Sequence, residues 1–300
     1  MSIDAHTLFD CLTSWPEARD NYMALDSVEQ RTLPTTPATR LFFNPARVRS
    51  TAAKVDAESV RRRPCFLCRP NRPARQEYVL WRDYEVLVNP FPIFPHHLTI
   101  VSSTHVPQSL TGRVADLFAL AVELPQYAVF FNGGQCGASA PDHAHFQAAM
   151  ELRESEVLRA ILDDGGKPIV SNADGLVVAS EASGRLAYHI VCHDAMRAAG
   201  LFATLATLRT LDENMLNAVA TCRRDGTVDI VIVPRRRFRP WQFDAQGEAQ
   251  IMISPATVEV LGLFVLPRRE DFEKISAADA IDIISQVCFT SDNELTISNK

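Results

Sequence analysis

The chain has 300 residues, of which 47% are hydrophobic and 22% charged; this suffices for one large domain or two ordinary ones around a buried core. Its net charge of −6 argues against a general nucleic-acid binder, and no apolar run approaches the ~18 residues of a membrane span. The opening MSIDAHTLFDCLTSWPEARD has neither basic head nor apolar core, so it does not read as a secretion signal, and 7 mostly scattered cysteines suit a reducing, cytoplasmic setting.

In chain order, residues 1–38 form an N-terminal segment, mostly helical and polar over 1–35 and ended by Pro34 and Pro37. TRLFFNPARVRSTAAKVD (39–56) is expected to be extended, then loop. Within 77–103, YVLW, YEVLVN and HLTIVSS are short apolar, β-branched and aromatic runs that predict strands. Prolines in the stretch from Asn89 to Pro95 make it an irregular connection. SLTGRVADLFALAVELP (109–125) carries Val114, Leu117, Phe118, Ala121 and Val122 at helical spacing. QYAVFFN (126–132) is a strand and GGQCGASAPD (133–142) a loop of small residues. HAHFQAAM (143–150) alternates, so His143, His145 and Gln147 share one strand face opposite Ala144 and Phe146. LNAVATCRRDGTVDIVIVPRRRFRPWQF (216–243) predicts paired strands about Asp225–Gly226, then a basic loop. Basic runs at Arg61 to Arg63 and Arg235 to Arg239 read first as solvated faces.

A row of polar side chains on one strand face makes poor core and a good set of groups for a cleft. The loop before it has the composition of an anion cradle: Gly133, Gly134 and Gly137 let backbone N–H groups approach closely, and Ser139 adds a hydroxyl. A tight turn before hydrogen-bonded histidines is the plainer alternative. PCFLC places Cys65 and Cys68 at the spacing of zinc ligands. No second such pair exists, so further ligands would be histidines; outside the motif these are His6, His96, His97, His105, His189 and His193. His105, just past a strand end, lies near the start of the neighbouring strand if those strands pair. A redox pair competes, but Pro64 and the RPNRP that follows do not suggest a strand–CxxC–helix setting.

NPFPIFPHHLTIVSSTHVPQ, followed after a helix by FFNGGQCGASAPDHAHFQ, resembles the histidine-triad superfamily. More narrowly it resembles the branch of galactose-1-phosphate uridylyltransferase and the dinucleoside-tetraphosphate (ATP adenylyltransferase) and GDP-hexose phosphorylases, whose motif is H-x-H-x-Q. FNPARVRSTAAKVD, PCFLC and ISPATVEVLGLFVLPRREDFEKI look like an uncharacterised bacterial family within it. The resemblance implies an α+β protein of two histidine-triad-like halves (39–155 catalytic, 156–300 second) in one unit, an antiparallel sheet with flanking helices. It implies His145 as nucleophile, Gln147 as holder of the α-phosphate, and structural zinc on Cys65, Cys68, His105 and His143. Asn132, Gly134 and Ser139 match its phosphate loop, and Asn89 a nucleoside-contacting position. IVPRRRFRPWQ echoes IVSSTHVPQ as a sign of the second repeat, which lacks H-x-H. His189 and His193 read as ordinary polar residues.

The expected chemistry is nucleotidyl transfer through a covalent nucleotidyl-His145, because neutral imidazole is a competent nucleophile near pH 7. Glutamine cannot exchange a proton usefully but can hold a phosphoryl group, which favours transfer over hydrolysis. A hydrolase with the same nucleophile, or a non-catalytic nucleotide sensor, are the alternatives. The expected partners are a nucleotide or nucleotide sugar and a phosphate-bearing acceptor, with no nucleic acid and no membrane, in a monomer or homodimer. Arg47, Arg49 and Lys54 are candidates for the acceptor phosphate, with Arg235 to Arg239 as the rival cluster.

Overall fold

The structure, a computed structural model, describes residues 3–52 and 56–297. The expected helical opening is present in part: short turns surround helix Pro16–Met23, and Leu8, Trp15 and Ala18 are buried in the main core. The segment then forms strand β1 (Glu29–Leu33), which pairs with β2 (Thr39–Phe43). β1 was invisible in the sequence because EQRTL is nearly all polar and only Leu33 is buried. Its strand state comes from its partner, not from its own pattern.

β2 begins the stretch expected to be extended, and it is. The chain then turns helical at Pro45–Arg47 and Val48–Thr51, started by Asn44, whose side chain accepts the Ala46 N–H at 3.1 Å. This corrects the expectation of extended chain and loop over this stretch, and places Arg47 on a helical turn. The Arg49 side chain and Lys54 lie outside the described residues.

The remaining strands, apart from β13, form one ten-stranded sheet in the order β3-β4-β5-β7-β6-β11-β12-β10-β9-β8. They are β3 (Tyr78–Trp81), β4 (Tyr84–Val88), β5 (His97–Ser102), β6 (Ala128–Asn132), β7 (His145–Ala149), β8 (Lys167–Asn172), β9 (Gly175–Ser180), β10 (Ala187–Cys192), β11 (Leu216–Cys222) and β12 (Val228–Pro234). Every pairing in it is antiparallel. β13 (Leu263–Leu266) joins β2 in parallel, completing a small sheet β1-β2-β13.

Alternation sorts the large sheet into two faces. Leu98, Ile100, Val129, Phe131, Phe146, Ala148, Ile230 and Ile232 pack with helices Val114–Glu123 and Ala195–Arg209. Phe130, Val219, Val231 and Val233 pack on the other face with Leu41, Phe42 and Phe264 of the small sheet. The H-x-H-x-Q strand thus lies between two cores, with Phe146 and Ala148 in the first and His145 and Gln147 on the opposite face.

The halves join at β6 and β11. A single row crosses the sheet: Thr99, Gln147, Phe130, then Val219, Val231, His189. Read outward from the junction, each half places its last strand between its helix-following strand and its third hairpin strand. β12 is therefore the counterpart of β7, and β10 that of β5. The expected echo is corrected by this topology: IVPRRR begins on β12, whereas IVSS belongs to β5, so the likeness pairs non-equivalent strands. The repeat is real; that sequence signal for it was not.

Candidate functional site: a histidine–glutamine strand beside a cysteine–histidine cluster

His145 opens β7 and is 5% exposed. Its Nδ1 lies 2.8 Å from the His143 carbonyl, which can only accept, so Nδ1 carries the proton and Nε2 keeps its lone pair. Burial depresses its pKa to about 4, so the ring is neutral at ordinary pH. Gln108 fixes the strand start: its Oε1 accepts the His145 N–H at 2.8 Å, while its Nε2 donates to the carbonyls of Asn132 and His145 at 2.9 and 3.0 Å. β6 and β7 have stopped pairing here, and Gln108 supplies the missing backbone bonds.

Gln147 is half-buried and its Oε1 lies 2.9 Å from Nε2 of His97. His97 Nδ1 accepts the Ile93 N–H at 3.1 Å, so Nε2 is the protonated nitrogen and donates to Gln147. With its oxygen held, the amide directs its NH₂ group away from His97. His97 is buried and its pKa falls to about 3, first through burial and then through the nearby Arg47 charge. Asn89 donates from Nδ2 to the Thr99 hydroxyl at 3.0 Å and accepts the Phe91 N–H at 2.9 Å, so it shapes the loop leading to His97. Next to it the Phe91 ring is 48% exposed, and Arg47 Nη1 donates to the Phe91 carbonyl at 2.7 Å.

Cys65, Cys68, His105 and His143 converge: their ligand atoms all lie within 4.8 Å of one another. Cys65 Sγ is 3.3 Å from His143 Nδ1, and Cys68 Sγ is 3.2 Å from His105 Nδ1 and 3.5 Å from His143 Nδ1. A tetrahedral ion bound at ~2.3 Å by sulfur and ~2.0 Å by nitrogen needs S···N edges of about 3.5 Å, and these edges match. His143 Nε2 donates to the Ser102 carbonyl at 2.8 Å, which turns the lone pair of Nδ1 toward the sulfurs. The donor set therefore fits a metal ion.

The small-residue loop folds mainly against the second half. A Cβ on Gly133 would stand 2.4 Å from the Asn214 carbonyl oxygen, and one on Gly137, at φ +119°, 2.5 Å from Ala256 Cβ. Asn132 is buried; its Oδ1 accepts from Asn217 Nδ2 at 3.0 Å and from the Thr257 N–H and hydroxyl at 2.9 and 2.7 Å. Gly134 is buried and Ser139 exposed. Among the described residues, the N–H groups of Gly133, Gln135, Cys136 and Ala138 are bonded within the chain, and those of Gly134, Gly137 and Ser139 are not.

Residues 8–150 match a family described as a domain of unknown function, DUF4922. No curated protein matches. Among solved structures, yeast Ap4A phosphorylase Apa2 in complex with Ap4A superposes with TM-score 0.59 at 19% identity, over 91% of this chain and 96% of that one. The chain has the fold of that phosphorylase. An ADP-glucose phosphorylase from Arabidopsis thaliana, with bound ADP-glucose, is similar at TM-score 0.38 and 17% identity over 83% and 99% of the chains. A DUF4931 family protein from Bacillus cereus is similar at TM-score 0.41 and 14% identity over 53% and 85%.

Within this fold, the expected residues gather along one face. His145 and Gln147 stand at its centre, the Cys–His cluster beside His145, and Asn89 beside Gln147. Arg47 comes in from the turn after β2. The rival Arg235 is spent on structure: its guanidinium is buried and donates to Asn217 Oδ1 and to the carbonyls of Pro255, Val287, Arg237 and Phe238. Arg239 stacks on Phe243 at 3.9 Å and donates to the Thr51 carbonyl at 3.0 Å, tying the second half to the Arg47 turn. His189 pairs with Asp229 at 2.7 Å, and His193 Nδ1 lies 3.3 Å from the Thr227 hydroxyl. Gln108 was not singled out beforehand, and His97 was weighed only as a metal ligand. His97 had a signal, since it stands two residues before Thr99 on the strand facing Gln147. Among the described residues, no helix is long and apolar enough to cross a membrane.

Proposed function

We propose that the protein is a nucleotidyltransferase of the phosphorylase type, acting on a dinucleoside polyphosphate or a nucleoside diphosphate sugar through a covalent nucleotidyl-His145. The observation that carries this reading is the His145–Gln147 pair: a buried neutral imidazole with Nδ1–H tied down and Nε2 unprotonated, beside an amide whose oxygen is already held. Nε2 forms a bond to the α-phosphorus while the bond to the leaving phosphate oxygen breaks. The Gln147 NH₂ group, the Gly134 and Ser139 N–H groups and the Ser139 hydroxyl stabilise the phosphoryl oxygens. A phosphate-bearing acceptor then takes the nucleotidyl group from His145 and restores the free imidazole. Gln147 neither gives nor takes a proton, so water gains no base from it, and transfer is favoured over hydrolysis.

Asn89 and the exposed Phe91 ring serve the nucleoside, the ring as a face for the base. Arg47 serves the acceptor phosphate as a guanidinium fork. Cys65, Cys68, His105 and His143 hold structural zinc, for which paired thiolates and imidazoles are a sufficient tetrahedral set. When bound, the ion cross-links the segment before β3 to the starts of the strand connections and holds His143, whose carbonyl sets the His145 tautomer. The solved structures with Ap4A and with ADP-glucose support these ligand classes as the ones to test.

The test is incubation with Ap4A, ADP-glucose and other nucleoside diphosphate sugars, with and without inorganic phosphate. Phosphate-dependent release of a nucleoside diphosphate or triphosphate, with a nucleotidyl adduct on His145 by intact mass, is expected. Equal release without phosphate makes the protein a hydrolase; tight binding without turnover makes it a sensor.

A further inference from the structure

The basic run Arg61 to Arg63 is a solvated face at its first two positions only. Arg61 and Arg62 are exposed, and Arg62 pairs with Glu58 one turn back on the helix Ala57–Arg62. Arg63 is partly buried and turns inward. Its guanidinium lies over the Phe66 ring, 4.6 Å from the centroid, inside the stretch that joins Cys65 to Cys68. Its Nη2 donates to the Ser139 carbonyl at 2.8 Å and lies 3.7 Å from Asp142 Oδ1. The other Asp142 oxygen is 3.9 Å from His105 Nε2. One side chain thus spans the Cys–His cluster and the far end of the small-residue loop.

Ser139 is exposed, and its N–H is not bonded within the chain among the described residues. The backbone on either side of that N–H is held. Before it, the Ala138 N–H donates to the Gly133 carbonyl at 3.3 Å. After it, Arg63 holds the Ser139 carbonyl, and Ala140 is buried with Cys65, Leu67, Leu87 and Val101. The Ala140 carbonyl then accepts the His143 N–H at 3.2 Å, where the chain enters the H-x-H-x-Q segment. The peptide that presents the Ser139 N–H is therefore bracketed, and Arg63 supplies one of the brackets. Without it an exposed stretch that includes Gly137 at φ +119° keeps more backbone freedom, and the cost of ordering it falls on ligand binding.

We propose that Arg63 is a positioning residue that fixes the Ser139 end of the loop in the conformation that receives a phosphoryl group. This rests on the reading of Gly134 and Ser139 as phosphoryl ligands.

The test is calorimetry with AMP and with adenosine on wild type, Arg63→Met and Arg61→Met, all purified without chelator. Methionine keeps a contact with the Phe66 ring and removes the donor. Arg63→Met is expected to weaken AMP binding about tenfold and to change adenosine binding by less than about twofold, because only AMP carries the group that the loop receives. Arg61→Met removes the same charge from the same run and is expected to leave both constants unchanged. Arg63 belongs to none of the apolar clusters, so Arg63→Met is expected to melt like the wild type and to keep its zinc. If it melts early, Arg63→Lys takes its place: it keeps the charge, loses the fork, and is expected to weaken AMP binding alone. An unchanged AMP constant in the Arg63 variant overturns the proposal. Equal weakening of AMP and adenosine overturns it as a general disturbance, and equal weakening in Arg61→Met overturns it as a field effect. Loss of zinc from the Arg63 variant assigns the side chain to the cluster and overturns it as well. A wild type that binds AMP no better than adenosine overturns the reading of the loop itself, and that result is independent of every variant.

Discussion

Replacing His97 with leucine isolates the device that orients Gln147. His97 is 1% exposed and satisfies one group on each side: the Ile93 N–H at 3.1 Å and Gln147 Oε1 at 2.9 Å. Leucine fills similar space and offers neither bond. The buried Ile93 N–H loses its acceptor, which costs about 1–3 kcal/mol, whereas the half-exposed Gln147 oxygen recovers a bond from water. The fold should survive with a melting temperature lowered by a few degrees at most per kcal/mol. Gln147, released, presents its oxygen as readily as its NH₂ group to the phosphoryl oxygens. Loss of one hydrogen bond to a charged group, about 1.5–3 kcal/mol, lowers the rate of adduct formation roughly 10- to 150-fold. The assay is single-turnover formation of nucleotidyl-His145, quenched and read by intact mass, for wild type, His97→Leu, Gln147→Ala and the double variant. If His97 acts through Gln147, the double variant is no slower than Gln147→Ala. Multiplying effects, or a wild-type rate in His97→Leu, would refute the reasoning. Because burial holds the His97 pKa near 3, acidification to pH 5 leaves this ring neutral and should not mimic the mutation.

His145→Ala and His145→Gly should abolish adduct formation and transfer with no loss of folding; turnover like the wild type in either ends the covalent mechanism. Protein purified without chelator should contain about one zinc per chain, and Cys65→Ser should lose both the zinc and part of the thermal stability; absence of metal together with an unchanged melting temperature in Cys65→Ser counts against the site. Burial raises the Glu259 pKa to about 7, from an ordinary value of 4.5. The folded state therefore favours its protonated form, and this contribution is complete below about pH 4 and is lost as pH rises through about 7. At ~1.36 kcal/mol per unit it amounts to about 3 kcal/mol, so Glu259→Gln should lose less stability than wild type between pH 5 and 8 in denaturant midpoints. Parallel declines in both proteins would assign the buried charge elsewhere.

The site was legible where chemistry is local in sequence. H-x-H-x-Q on an alternating strand put His145 and Gln147 on one face, and C-x2-C with His105 named the cluster before any distance was known. Legibility failed where a residue's role depends on a distant partner. His97 reads as the first residue of a predicted strand, and nothing marks its partner until β5 pairs with β7 and brings it to Gln147. Gln108 reads as part of a loop after a strand, and only the fold brings it to the carbonyls of Asn132 and His145. The loop glycines were read as a cradle for an anion; two of them are equally required by the backbone of Asn214 and by Ala256. Composition cannot separate those demands, because a close approach of backbone and a close approach of ligand ask for the same residue.

The sheet register shows what the second half carries at the positions that match His145 and Gln147. In the row that crosses the junction, Val231 stands where Gln147 does and His189 where Thr99 does. Two residues back along β12, Asp229 takes the place that His145 has on β7. Asp229 is buried and fully engaged: His189 Nε2 bonds one oxygen at 2.7 Å, and Arg223 reaches both. Those partners hold the carboxyl below its usual range despite burial. A buried carboxylate held in an ion pair with Arg223 and His189 makes a poor nucleophile, and a valine in the place of the glutamine offers nothing to a phosphoryl oxygen. The second half has the same strand order, with an ion pair and apolar side chains along the matching row. What it contributes to that face arrives from outside its own sheet: Ala256 and Thr257 behind the loop, and Arg239 on the turn that carries Arg47.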